Sequence, residues 1–100
     1  MAIAANVTDG GSTVNITVSG RFDFNSHHDF RNAYRNEKPD AKYVIDMSGT
    51  DYIDSSALGM LLLLREHAGN DKSSITIRGC KDEIRKIFAI SNFEKLFNIS

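Results

Sequence analysis

Apolar and polar residues alternate through Val14-Asn15-Ile16-Thr17-Val18, the period of a strand with one buried face. Met1 to Val7 is a weaker strand candidate. Between the two lies Asp9-Gly10-Gly11-Ser12, whose glycines tolerate the positive φ of a tight turn, so the chain is expected to open with an antiparallel hairpin. After Gly20-Arg21-Phe22-Asp23-Phe24, Asn25 or Ser26 has the chemistry of a helix N-cap. From His27 onward, Phe30, Ala33 and Tyr34 recur at helical spacing, and Pro39 ends that helix by about Lys38.

Tyr43-Val44-Ile45-Asp46-Met47 is β-rich and almost continuously apolar, the pattern of a central strand covered on both faces. Ser48 to Asp54 reads as a short polar connection. Ser55 or Ser56 opens a second helix that runs to about Ala68 and closes at Gly69-Asn70. Ser74 to Arg78 alternates as a further strand. Asp82 to Ile90 carries Ile84, Ile87 and Phe88 on one helical face, and a short last helix is expected over Phe93 to Phe97. The order β-β-α-β-α-β-α-α predicts an α/β domain with a mixed four-stranded sheet, an antiparallel hairpin followed by parallel strands, and about four helices.

Length changes this picture only by bounding it: residues 1–100 suffice for a single domain and no more. With 41% hydrophobic and 25% charged residues the composition is that of an ordinary globular protein. The net charge of −1 and the absence of a basic cluster argue against a nucleic-acid partner. The longest apolar run, Ala57 to Leu64, contains Gly59 and is far short of a membrane span. Met1 to Asn6 has neither the charge nor the apolar stretch of a signal peptide, and the single cysteine, Cys80, has no intrachain partner for a disulfide, so a cytoplasmic location is expected. The histidines His27, His28 and His67 lack metal-ligand spacing with any cysteine pair, and neither a metal nor a cofactor is expected.

The chemistry concentrates in Tyr52-Ile53-Asp54-Ser55-Ser56-Ala57-Leu58-Gly59, which leaves the central strand and enters a helix. Loops at strand C-termini are where open α/β sheets build sites. Asp54 or Ser55 can cap the helix, and taken alone the segment is an ordinary cap. Ser56 then falls in the first turn, where a phosphate of roughly −2 charge faces the positive end of the helix dipole. Such a phosphate leaves the fold intact and changes the surface. From Met60 to Leu64 the helix is apolar all round; most of this run is expected in the core, and any stripe left exposed would be a partner-binding surface.

Ile53-Asp54-Ser55-Ser56-Ala57-Leu58-Gly59 resembles the signature of STAS domains in bacterial anti-sigma factor antagonists, an apolar residue followed by Asp-Ser-Ser-Gly-Leu-Gly. Ser19-Gly20-Arg21-Phe22-Asp23 resembles the family's Gly-x-x-Asp turn, Val44-Ile45-Asp46-Met47-Ser48 its central strand, and Ile84 to Phe88 with Asn92-Phe93 its third helix and following turn. The resemblance implies a partner that is both anti-sigma factor and serine kinase of the histidine-kinase ATPase type. It implies phosphorylation at the second serine, Ser56, with Ser55 the second choice, weakening of the complex on phosphorylation, and reversal by a PP2C-type phosphatase. Asp23, Phe22, Asp54, Ser55, Ser56 and Ala57 are the expected partner-binding residues, with Asp23 near the serine loop; Phe22 and Phe24, beside that turn, read equally as core or contact residues. Ala57 departs from the family's glycine, which bears on which kinase fits.

Other functions compete with this reading. An enzyme with Ser55 or Ser56 as nucleophile lacks the Gly-x-Ser-x-Gly elbow and a placed histidine base. A nucleotide-binding module lacks the phosphate-cradling Gly-x-x-x-x-Gly-Lys run. Within the family, the partner could instead be a response regulator, a diguanylate cyclase or a signalling scaffold.

Overall fold

The structure, a computed structural model, describes residues 2–100; the part of the first strand expected at Met1 lies outside the described residues. Five strands form one sheet in the order β1-β2-β3-β4-β5. They are β1 (Ala2–Thr8), β2 (Thr13–Phe22), β3 (Lys42–Ile53), β4 (Ser74–Arg78) and β5 (Asn98–Ile99). The β1–β2 pair is antiparallel and every later pair is parallel. The helices are α1 (His27–Tyr34), α2 (Ser55–His67) and α3 (Asp82–Ile90), with short 3₁₀ turns at Phe24–Ser26, Asn70–Lys72 and Phe93–Lys95.

The expected class and the opening hairpin are present. The hairpin turn uses positive φ at Asp9, Gly10 and Gly11, and Thr8 pairs with Thr13 across it. The numbers of strands and helices differ from expectation. The sheet has five strands rather than four, because β5 is a two-residue strand, too short to leave a periodic pattern. There are three α-helices rather than about four, since Phe93–Lys95 closes as a 3₁₀ turn with Phe93 and Phe97 buried beneath it.

The covering of the sheet also differs from the expected two-sided one. Right-handed crossovers between neighbouring parallel strands set all three helices on one face. Val14, Ile16, Val18, Tyr43, Ile45, Met47, Ile75 and Ile77 point into that face and are buried. The intervening Asn15, Thr17, Val44, Asp46 and Thr76 line the other face, where none is buried. The central strand is therefore covered once, not twice. Its apolar run reads as continuous only because Val44 occupies an open-face position.

Ser26 takes the N-cap position of α1 as expected but makes no side-chain bond to that helix; the side-chain cap lies one turn earlier, where Asp23 Oδ1 accepts the Asn25 amide at 3.1 Å and the Asp23 amide donates to Ser26 Oγ at 3.2 Å. The chain passes through a 3₁₀ turn at Phe24–Ser26 before α1 begins. The helix stops at Tyr34, earlier than Pro39 requires. Just beyond it, the carbonyls of Glu37 and Lys38 are held by His67 Nε2 (3.0 Å) and Tyr43 Oη (2.7 Å), side chains of α2 and β3. Burial pushes the Tyr43 phenol up to about 12, with the Glu37 and Asp40 carboxylates adding to it. At the C-terminal end of α2 the expected boundary holds: Gly69, at φ 105°, takes the left-handed position that closes the helix.

On the open face Asp46 accepts the Ser48 amide at 2.9 Å and pairs with Arg78 at 3.2 Å. The Ser48 backbone hydrogen bond, ahead of the Ser48 hydroxyl and Arg78, holds its carboxyl below the usual carboxylate value. A lowered folded-state value means that its stabilisation is present above the unfolded-state pKa and is lost as pH falls through the folded one. Asp46→Asn is therefore expected to flatten the acid limb of the urea-midpoint profile while leaving the neutral-to-alkaline limb parallel to wild type. A steeper acid limb would contradict the assignment.

Candidate functional site

The ends of β2 and β3 build the site. The segment from Ser48 to Asp54, expected as a loop, is strand as far as Ile53. Two register irregularities, between Thr17 and Ser19 and between Gly20 and Arg21, let β3 run for 12 residues beside the 10 of β2. Each bulge re-aims the strand. Inward positions pass from Met47 to Thr50 to Ile53 in steps of three, and the period-2 pattern disappears from the sequence. Thr50 is fully buried, and its hydroxyl donates to the Val18 carbonyl at 2.7 Å.

The last pairs in this register are Arg21 with Tyr52 and Phe22 with Ile53. The next residue of each strand is an aspartate, so Asp23 and Asp54 leave the sheet side by side. Each caps a helical segment. Asp54 Oδ1 accepts the Ala57 amide at 3.0 Å, a cap contributing about 1 kcal/mol. Asp23 is also paired with Arg21 at 3.4 Å, and the Arg21 guanidinium sits 4.0 Å above the Tyr52 ring. On the other side of the rim, Asp51 is paired with Lys81 at the start of α3.

Ser55 and Ser56 occupy the first two positions of α2. Ser55 is exposed and Ser56 half-buried. Among the described residues neither hydroxyl has a hydrogen-bond partner, and the helix N-terminus there offers its unclaimed amides to an anion. His67 lies at the opposite end of α2, roughly 17 Å along the axis from Ser56. It packs against Tyr34 and bonds Glu37, so this histidine is not placed as a base for either serine. No group of three or more His, Cys, Asp or Glu poised for a metal occurs among the described residues.

Two expected contact residues need correcting. Phe22 is fully buried against Phe30, with ring centroids 5.0 Å apart, and Ala57 is fully buried at the base of α2. Both side chains point into the core because they continue the inward rows of β2 and α2. The aromatic that faces solvent here is Phe24, 72% exposed, and Tyr52 joins it at the rim. In α2, Met60, Leu61 and Leu64 are buried, whereas Leu62 and Leu63 are 42% and 50% exposed. With exposed Ser55 and Gly59 they form a stripe running from the serine loop along the outer face of the helix. A groove of about 450 Å³ borders it, between α1 and α2, lined by Phe30, Arg31, Tyr34, Met60 and Leu63.

The family model for the Mlab STAS domain matches residues 5–98. This chain belongs to the STAS-domain family. A STAS-domain containing protein of Pseudomonas aeruginosa (strain UCBPP-PA14) is 52% identical over the full length of both chains. Among solved structures, an anti-sigma factor antagonist from Mycobacterium paratuberculosis superposes with a TM-score of 0.75 at 20% identity, covering 98% of this chain and 85% of the other. The Bacillus cell-fate determinant SpoIIAA in its phosphorylated form gives 0.68 at 15% identity over 99% and 91%. The STAS fold is thus shared with anti-sigma factor antagonists. No described helix is long and apolar enough to cross a membrane.

Proposed function

We propose that this STAS domain is a phospho-switched binding module. Its unphosphorylated form sequesters an anti-sigma factor that is also a serine kinase of the histidine-kinase ATPase type. Phosphorylation of Ser56 weakens that complex, and a PP2C-type phosphatase restores it. The observation that carries this reading is the continuity of two features of α2: uncommitted serine hydroxyls in its first turn, and the exposed Gly59-Leu62-Leu63 stripe behind them.

The chemistry of the switch follows from the surroundings. A phosphate on Ser56 meets the free amides of the helix start, so the fold tolerates it. The same dianion would lie two residues from the capping Asp54, with Asp23 following the adjacent strand, and a covering partner would have to desolvate these charges together. A penalty of about 1.4 kcal/mol already weakens binding tenfold.

Incubation with the kinase and Mg·ATP is expected to add one phosphate, mapped to Ser56 by peptide mass spectrometry. Ser56→Ala is expected to retain kinase binding, and Ser56→Asp to weaken it about tenfold. Phosphate on another residue, or equal binding by the two variants, contradicts the mechanism.

A further inference from the structure

The two edges of the sheet are built differently. At one edge, β5 is only two residues long, which leaves little backbone to template another strand. At the other, β1 pairs with β2 without a register break from Ala2↔Ser19 to Thr8↔Thr13, and its outer side has no neighbouring strand among the described residues. Soluble proteins usually guard such an edge with lysine, proline, a bulge or a short strand. The segment Ala2-Ile3-Ala4-Ala5-Asn6-Val7-Thr8 contains no charge and no proline, has no bulge, and is seven residues long.

The pattern is also self-complementary. In an antiparallel pair of β1 strands related by a two-fold axis at Ala5, Ala5 faces its own copy, Ile3 faces Val7, and Ala4 faces Asn6. Ile3 and Val7 lie on the helix-covered face, since they pair with the buried Val18 and Val14. Ile3 packs against the core, whereas Val7 is 42% exposed. The two-fold pairing would set each Val7 against the partner's Ile3 and extend the apolar row across the axis.

We propose that the β1 edge is a homodimerisation surface, joining two copies into one continuous ten-stranded sheet. The Ala2 end of β1 lies beside Ser19, toward the end of β2 that leads to Asp23. Antiparallel pairing sends the second copy's serine loop to the opposite end of the ribbon, so dimerisation leaves both loops uncovered. A seven-residue edge is a small interface, and the dimer is expected to be weak and concentration-dependent.

Sedimentation velocity over a wide concentration range tests this. Wild type is expected to shift from monomer to dimer. Val7→Lys and Ala5→Lys, at exposed positions, are expected to remain monomeric at every concentration while keeping the wild-type circular dichroism spectrum. Register is tested in a Cys80→Ser background: Ala5→Cys is expected to cross-link to itself under mild oxidation, and Ala4→Cys to cross-link at least tenfold more slowly. A wild-type chain that is monomeric throughout overturns the proposal, as does a dimer that survives both lysine substitutions or cross-links equally at the two cysteines. None of these readouts involves a kinase, so failure here is distinguishable from failure of the phospho-switch.

Discussion

Phe22→Ala is expected to destabilise the domain by about 3–5 kcal/mol, the range for truncating a buried phenylalanine. That is a large share of the roughly 5–15 kcal/mol that holds a domain together. Phe22 is fully buried, packs its ring against Phe30, and is the last β2 residue in register with β3. The loss should therefore reach the site. Asp23 follows directly, and the neighbouring Ile53 precedes Asp54, so both capping turns rest on this pair. Urea denaturation reads the stability, and hydrogen exchange at the Ala57 amide reads the cap. Phe24→Ala, two residues on and 72% exposed, is expected to stay within about 0.5 kcal/mol of wild type. Equal effects at the two positions would contradict the assignment of Phe22 to the core.

The second large effect concerns binding, and it rests on the proposed switch. Leu62→Asp and Leu63→Asp are each expected to weaken the complex with the anti-sigma factor kinase by thirtyfold or more, corresponding to about 2 kcal/mol or more. An apolar contact buried at an interface centre is replaced there by a charge that has to be desolvated. Both leucines are at least 42% exposed in the free chain, so thermal stability should change little. Leu61→Asp is the internal control: Leu61 is fully buried, and a carboxylate there is expected to unfold the domain. Isothermal titration calorimetry separates the cases. Undiminished affinity in both exposed variants would remove α2 from the interface and with it the continuity on which the proposed function rests.

These two predictions depend on different kinds of information. The serines, their helix and the aspartate before them were legible in the chain. A polar cap followed by an apolar helical run is a local signal, and Asp54 caps α2 whatever lies elsewhere. The opening hairpin, β4, α3 and the C-terminal limit of α2 were legible for the same reason. Each depends on residues within a few positions of one another, such as Asp9 to Ser12 or Gly69. The motif resemblance across the chain identified the STAS fold that the family match establishes.

What the chain did not disclose is what depends on contacts distant in sequence. The bulges that carry β3 to Ile53 exist because β2 runs beside it, and the Thr50 hydroxyl they turn inward is satisfied by the Val18 carbonyl, 32 residues away. Local sequence offers only Ser48-Gly49-Thr50-Asp51, which has the composition of a loop. Phe22 and Phe24 flank the same aspartate and are chemically identical; only the packing of Phe30 against one of them decides which is core. The same holds within Met60-Leu61-Leu62-Leu63-Leu64, where composition is uniform and the sheet selects the buried side. The sequence by itself determined the α2 cap, the hairpin turn and the place of the serines at the start of a helix, because those are short-range hydrogen-bond chemistry. The tertiary structure alone decided which residues face solvent around that loop, because burial belongs to neighbouring elements and not to the residue.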